Sequence, residues 1–73
     1  MKSTITVDAR GLSCPQPVML ARAALDEARS GNVTVLADSG TSRDNVVRAA
    51  ERVGWHLARE TTSDEGFQLV LEK

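Results

Sequence analysis

The sequence predicts an α+β fold: a two-layer α/β sandwich in the order βαβαββ, with two helices on one face of a four-stranded mixed sheet. Three observations lead to this prediction. Four segments show the alternation of strands, and two show the periodicity of helices. A strand, a helix and a strand in series favour parallel pairing. A short turn makes the last two strands an antiparallel hairpin. At 73 residues, we expect one domain over residues 1–73.

The four predicted strands carry β-branched or apolar residues in alternation. The first is "TITVD", Thr4 to Asp8. The second, Asn32 to Asp38, is mostly apolar on both sides, which is typical of a strand inside a sheet. The third and fourth are Trp55 to Thr62 and Phe67 to Glu72, joined by the turn "SDEG".

The first predicted helix runs from Pro15 to about Arg29, and Gly31 stands where a left-handed cap is common. Its buried face follows the i, i+3, i+4, i+7 spacing and comprises Pro17, Leu20, Ala21, Ala24, Leu25 and Ala28.

The second predicted helix follows the loop "SGTS" and ends at Gly54. Thr41 or Ser42 is the expected N-cap, and Asp44 is expected in the first turn, where the helix dipole favours a negative charge. Its inner face comprises Val46, Ala49, Ala50 and Val53.

The composition excludes several classes of protein. The net charge is −1 and lysine and arginine form no block, which argues against binding nucleic acid through phosphate contacts. No stretch approaches the roughly 20 apolar residues of a membrane span, and residues 1–5 show no signal peptide. Cys14 and His56 are too few for a structural zinc site, so we expect no metal or cofactor. A cytoplasmic monomer with a reduced thiol is expected.

The single cysteine, Cys14, lies in "GLSCPQPVML". If Pro15 is the first helical residue, Cys14 is the N-cap, and Pro17 falls within the first turn, where N–H groups lack acceptors. Thiols at helix N-termini have pKa values lowered from about 8.5 to roughly 3.5–7.5, so Cys14 is predicted to be a nucleophile or a carrier of reactive sulfur. The alternative is an inert, buried cysteine.

Other residues bear on this site. The loops after the first two strands emerge at one sheet edge if those strands are parallel, which would bring Arg10 and Arg43 near Cys14 as electrostatic support. His56 is a weaker candidate, as a base for Cys14. Trp55 either anchors a partner or covers the core, and we favour the core. Asp8 and Asp38 end the two strands and either tune the site or cap the loops.

The segment "DARGLSCPQPVMLARAAL" resembles the signature of the TusA family, also called SirA-like, whose hallmark is Cys-Pro-x-Pro at the start of the first helix. The resemblance covers nearly the whole chain and implies the same βαβαββ sandwich. The segment "DSGTSRDNVVRAAERVGW" is similar to the N-terminal domain of YedF-like proteins, which are linked to selenium metabolism.

The resemblance implies a small sulfur carrier, a sulfurtransferase-type protein more than a stand-alone enzyme. Cys14 would bear a persulfide, and Pro15, Gln16 and Pro17 would complete the motif and position it. Sulfur would come from a cysteine desulfurase or a rhodanese and pass to an acceptor protein. The alternative is a non-catalytic protein-binding or regulatory module of the same fold with a link to selenium metabolism.

Overall fold

The computed structural model of the chain describes residues 4–12 and 16–73, and these contain the six expected elements in the expected order. The elements are β1 Thr4–Asp8, α1 Gln16–Ala28, β2 Asn32–Ala37, α2 Gly40–Arg52, β3 His56–Ser63 and β4 Gly66–Glu72. Each of these two helices has 13 residues, and in the described ranges no helix is long and apolar enough to cross a membrane.

The four strands form one mixed sheet in the order β1-β2-β4-β3. β1 pairs with β2 in parallel, with Ile5 opposite Val33. β4 runs antiparallel to both of its neighbours, β2 and β3. The predicted hairpin and the predicted mixed sheet with parallel β1 and β2 are therefore confirmed.

The core lies between the sheet and the two helices. On β2, Val33, Val35 and Ala37 are fully buried, whereas the residues between them are half-buried. β4 adds buried leucines to the same layer, and the helices contribute small side chains that allow close packing; these residues are Leu69 and Leu71 from β4 and Ala21, Ala24, Leu25, Val46 and Ala50 from the helices. The predicted two-layer sandwich is therefore confirmed.

The buried face of α1 is narrower than predicted. Leu20 is 43% exposed, so its assignment to the buried face is wrong. The residue lies at the margin of a stripe set by Pro17, Ala21, Ala24 and Leu25, which are all buried. The C-terminus also differs, because α1 ends at Ala28 and Arg29, with φ 66°, is the first left-handed residue after it; Gly31 follows with φ 98°.

The N-terminus of α2 begins earlier than predicted. The N-cap is Ser39, not Thr41 or Ser42, because Ser39 is extended and its Oγ accepts a hydrogen bond from the Ser42 N–H at 3.1 Å. The expected loop "SGTS" is therefore mostly helix, and Asp44 lies beyond the first turn. The predicted caps, Thr41 and Ser42, are therefore wrong, because the extended residue that precedes the helix is Ser39.

The C-terminus of α2 agrees with the prediction. Gly54, with φ 90°, donates its N–H to Glu51 O, and the Trp55 N–H donates to Ala50 O. These two bonds form the Schellman arrangement that closes a helix at a left-handed glycine. Trp55 is only 3% exposed and belongs to the core, as favoured from the sequence.

Candidate functional site at the carboxyl edge of the sheet

The candidate site is defined by the residues on either side of Cys14. Cys14 and Pro15 lie outside the described residues, together with Ser13. Their predicted roles as N-cap, first helical residue and sulfur-bearing group therefore stay predictions. The described chain reaches Leu12 on one side and resumes at Gln16 on the other.

The segment that leads into the site is tied to the sheet by three successive backbone N–H groups. Ala9, Arg10 and Gly11 donate to Leu36 O at 2.9 Å, Asp8 Oδ1 at 3.1 Å and Asp38 Oδ2 at 2.6 Å, respectively. Gly11 has φ 76°, a left-handed conformation that favours glycine. Asp8 and Asp38 therefore hold the loop, which is one of the two roles predicted for these carboxylates, while their role in tuning the site stays a prediction.

The other side of the site is the first turn of α1. Gln16 is the first described residue of α1 and is exposed, whereas the Pro17 side chain is fully buried. A proline fits here because N–H groups in the first turn have no acceptor within the helix. Burial of its ring fixes the start of α1 against the rest of the protein.

Arg10 forms an ion pair with Asp8. Its Nε and Nη2 donate to the two carboxylate oxygens, both at 2.9 Å, and its Nη1 lies 3.8 Å from Glu65 Oε1. The Arg10 side chain, through its hydrogen bonds, lowers the pKa of Asp8 from 3.8 to about 2. Electrostatic support of Cys14 by Arg10 stays a prediction, and the Arg10 charge is shared with Asp8.

Arg43 joins α2 to β3. Its guanidinium forms a two-pronged pair with Glu60, in which Nε lies 2.9 Å from Oε2, and its Nη1 donates to Asp44 Oδ1 at 2.8 Å. The hydrogen bond to Glu60 is the main reason that the pKa of Arg43 is raised, and it lowers the pKa of Glu60. Support of Cys14 by Arg43 also stays a prediction.

His56 lies at the opposite end of the sheet. It is exposed, pairs in register with Glu72, and Glu72 pairs in turn with Asn32 at the start of β2. At about 3.3 Å per residue, roughly 16 Å separates this level of β2 from Ala37 at the carboxyl edge.

Within the described ranges, no three side chains of the metal-ligating types come together as a metal site.

An apolar surface beside the site was missed in the sequence. Leu12, Gln16, Met19 and Leu20 line a shallow cavity of about 390 Å³, and Met19 is 63% exposed. We call these four residues the α1 surface. The available signal was that Met19 does not fit the buried stripe of α1, so a large apolar side chain had to face solvent.

Two loops of the sheet thus meet at one edge. Because β1 and β2 are parallel, the loop of Gly11 and the loop of Asp38 adjoin there, and the hydrogen bond between them joins residues 27 apart in the chain.

The model of the family described as "Sulfurtransferase TusA" matches residues 5–73. The chain belongs to the TusA family.

Several relatives of this TusA-family chain are named as candidate sulfur carrier proteins. YrkI of Bacillus subtilis is 35% identical over 66 residues, which cover 90% of this chain and 87% of the relative. A protein of Neisseria meningitidis serogroup A is 34% identical over 68 residues, which cover 92% of each chain. The family and these names support a sulfur carrier of the TusA kind.

A solved structure shows the same fold. The crystal structure of a SirA-like protein from Desulfitobacterium hafniense superposes with a TM-score of 0.78, at 40% identity and with 93% of each chain covered. The predicted family and fold are therefore confirmed. A family of sulfur carriers implies interaction with proteins that donate and accept sulfur.

Proposed function

We propose that this chain is a persulfide carrier, in which Cys14 takes sulfur from a cysteine desulfurase or a rhodanese and passes it to an acceptor protein. The observation that carries the proposal is the match of the sulfurtransferase family model to residues 5–73, which include the only cysteine of the chain. The proposal treats residues 1–73 as one TusA-like domain. It places the protein in the cytoplasm, where a single thiol stays reduced.

The transfer step is an exchange between a thiolate and a persulfide. The Cys14 thiolate attacks the outer sulfur of the donor's persulfide, a new sulfur–sulfur bond forms, and the donor's own sulfur–sulfur bond breaks. The bonding electron pair leaves with the donor's cysteine, which departs as a thiolate. Delivery repeats the step, with an acceptor thiolate attacking the outer sulfur on Cys14. No external oxidant or reductant is needed.

The single cysteine suits this chemistry. A second thiol near a persulfide would expel the outer sulfur as sulfide and close a disulfide, and the chain contains no second cysteine. The persulfide on Cys14 can therefore be discharged only by another molecule. This favours a carrier over a dithiol oxidoreductase.

The α1 surface supports transfer between proteins. Met19 and Leu20 are large apolar side chains, 63% and 43% exposed, and they lie on α1, whose described residues start at Gln16, two positions after Cys14. Apolar patches of this kind, with few charges at their centre, are typical of protein interfaces. We infer that donor and acceptor proteins contact this surface when they reach the thiol.

The test is the intact mass of the protein after incubation with a cysteine desulfurase and cysteine, or with a rhodanese and thiosulfate. We expect a gain of one sulfur atom that is lost on reduction and absent in Cys14→Ser. A matched control is Cys14→Ser/Ser30→Cys, which moves the single thiol to an exposed position beyond the end of α1. This variant should remain unloaded by the protein donors.

Three results would contradict the proposal. Loading of Cys14→Ser would show that the sulfur is not on this cysteine, and equal loading of the relocated thiol would show that any exposed thiol accepts sulfur. Absence of sulfur gain with both donors would favour the non-catalytic binding module instead.

A further inference from the structure

We propose that Asp38 is a positioning residue for residues 12–16, which we call the Cys14 segment. The Asp38 carboxylate fixes Gly11, the residue that immediately precedes this segment. The inference rests on the proposed function, since it concerns the geometry of sulfur exchange at Cys14. Asp38 is not proposed to touch the reacting sulfur atoms.

The first observation is the hydrogen bond itself. The Gly11 N–H donates to Asp38 Oδ2 at 2.6 Å, and Gly11 precedes Cys14 by three residues. Bonds from a neutral donor to a charged acceptor are shorter and about twice as strong as neutral ones. The bond connects the β1–α1 loop to the β2–α2 loop, so it fixes one loop relative to the other.

The second observation is that β4 packs closely against the backbone at Asp38. Gly66, with φ 124°, packs so closely that a Cβ atom there would lie 2.9 Å from the Asp38 Cα and would collide with the Ala37 carbonyl oxygen. Only glycine permits this approach. Gly66 therefore packs against the Asp38 backbone, and the Asp38 side chain accepts a hydrogen bond from Gly11. These two contacts link the β3–β4 turn to the loop that leads into the candidate site.

The chemistry makes this placement matter. Exchange requires the attacking sulfur to approach along the sulfur–sulfur bond of its partner, and misplacement by about 1 Å can slow such reactions by up to roughly 10²-fold. Since the chain is anchored at Gly11 before Cys14 and at the buried Pro17 after it, loss of the Asp38 contact removes the anchor on the sheet side.

The test compares Asp38→Ala with Asp38→Asn. The asparagine keeps an oxygen that can accept from Gly11, whereas alanine keeps none. We expect Asp38→Ala to slow sulfur loading about tenfold and Asp38→Asn to stay within about threefold of the original rate. The control is Asp26→Ala, which removes an exposed carboxylate from α1 about 15 Å along the helix from Gln16.

A second readout does not depend on sulfur transfer. Amide hydrogen exchange followed by NMR should show the Gly11 amide protected in the original chain and in Asp38→Asn, with protection reduced about tenfold or more in Asp38→Ala. The signals of residues 12–14 should shift in Asp38→Ala alone. Rescue by asparagine is a result that general destabilisation by alanine does not produce.

The outcomes separate this proposal from the proposed function. If the original chain gains no sulfur, the proposed function fails, while the Gly11 amide still decides whether Asp38 positions the segment. Unchanged exchange at Gly11, or loading of folded Asp38→Ala at the original rate, would overturn the positioning role. So would equal losses in Asp38→Asn and Asp38→Ala. If Asp38→Ala does not fold, Asp38→Glu gives the same comparison with a displaced carboxylate.

Discussion

Three glycines form a graded test of how closely the strands and loops approach each other at the carboxyl edge. Each is changed to alanine, which adds one methyl group. Gly40 has no unusual φ, and no atom of the described residues lies within 4 Å of an added Cβ. Gly11 has φ 76° and equally open surroundings among those residues, whereas Gly66 combines φ 124° with a backbone collision.

The expected magnitudes follow from these environments. Gly40→Ala should stabilise the protein by up to about 1 kcal/mol, because alanine favours a helix. Gly11→Ala should destabilise it by about 1–2 kcal/mol, the usual penalty of a left-handed residue with a side chain. Gly66→Ala adds overpacking of about 1–3 kcal/mol to the same strain, for a total of about 2–5 kcal/mol. A chain of 73 residues has about 4–11 kcal/mol to lose.

The assay is urea unfolding followed by far-UV circular dichroism, with the midpoint compared at constant m value. The order of stability should be Gly40→Ala, the original chain, Gly11→Ala, Gly66→Ala. If Gly66→Ala costs no more than Gly11→Ala, β4 does not approach Asp38 as closely as described, and the link from Gly66 through Asp38 to Gly11 loses its basis.

Two further predictions concern the α1 surface and the Asp8 pair. Met19→Asp should weaken binding to a sulfur-donor protein about tenfold, measured by calorimetry, with the fold unchanged because Met19 is 63% exposed. The control is Ala58→Asp, an exposed change on β3 away from the α1 surface, and an equal loss there would contradict the assignment. Because the folded pKa of Asp8 is lowered to about 2, its contribution to stability is present above about pH 4 and is lost as pH falls toward 2. Asp8→Asn should therefore have a lower urea midpoint than the original chain at neutral pH, and the two midpoints should converge near pH 2. A difference in midpoint that stays constant with pH would refute this.

The elements of the fold were predictable because their signals are local. β2 is mostly apolar and places Val33, Val35 and Ala37 on its buried face, as expected of a strand inside the sheet, where it lies between β1 and β4. Gly54 marks the end of α2 because a Schellman closure needs a left-handed residue there. The cap of α2 was predicted wrongly as Thr41 or Ser42, since Ser39 also carries a hydroxyl group and only the backbone conformation selects it.

The contacts of the site were harder to predict because they depend on register. Asp8 and Arg10 are two residues apart, so their pairing is local and does not depend on the strand register. The bond between Gly11 and Asp38 requires β1 and β2 to be parallel and in a particular register, which sequence periodicity does not set. The approach of Gly66 requires a third strand, β4, beside β2.

We expect the two sides of the candidate site to make separable contributions to transfer. On the sheet side, the proposed role of Asp38 is to position the Cys14 segment, so changes at Asp38 or Gly66 should lower the rate at saturating donor. On the helix side, the proposed role of the α1 surface is contact with the partner, so changes at Met19 should raise the donor concentration needed for half-maximal rate. A mutation that removes uniform binding raises KM alone, whereas one that disturbs the reacting geometry lowers kcat.

Combining Asp38→Ala with Met19→Asp should therefore give losses that add in free energy, because the two residues share no contact in the described structure. A non-additive double variant would show that partner docking and segment position are coupled, and that the partner itself helps to place the thiol.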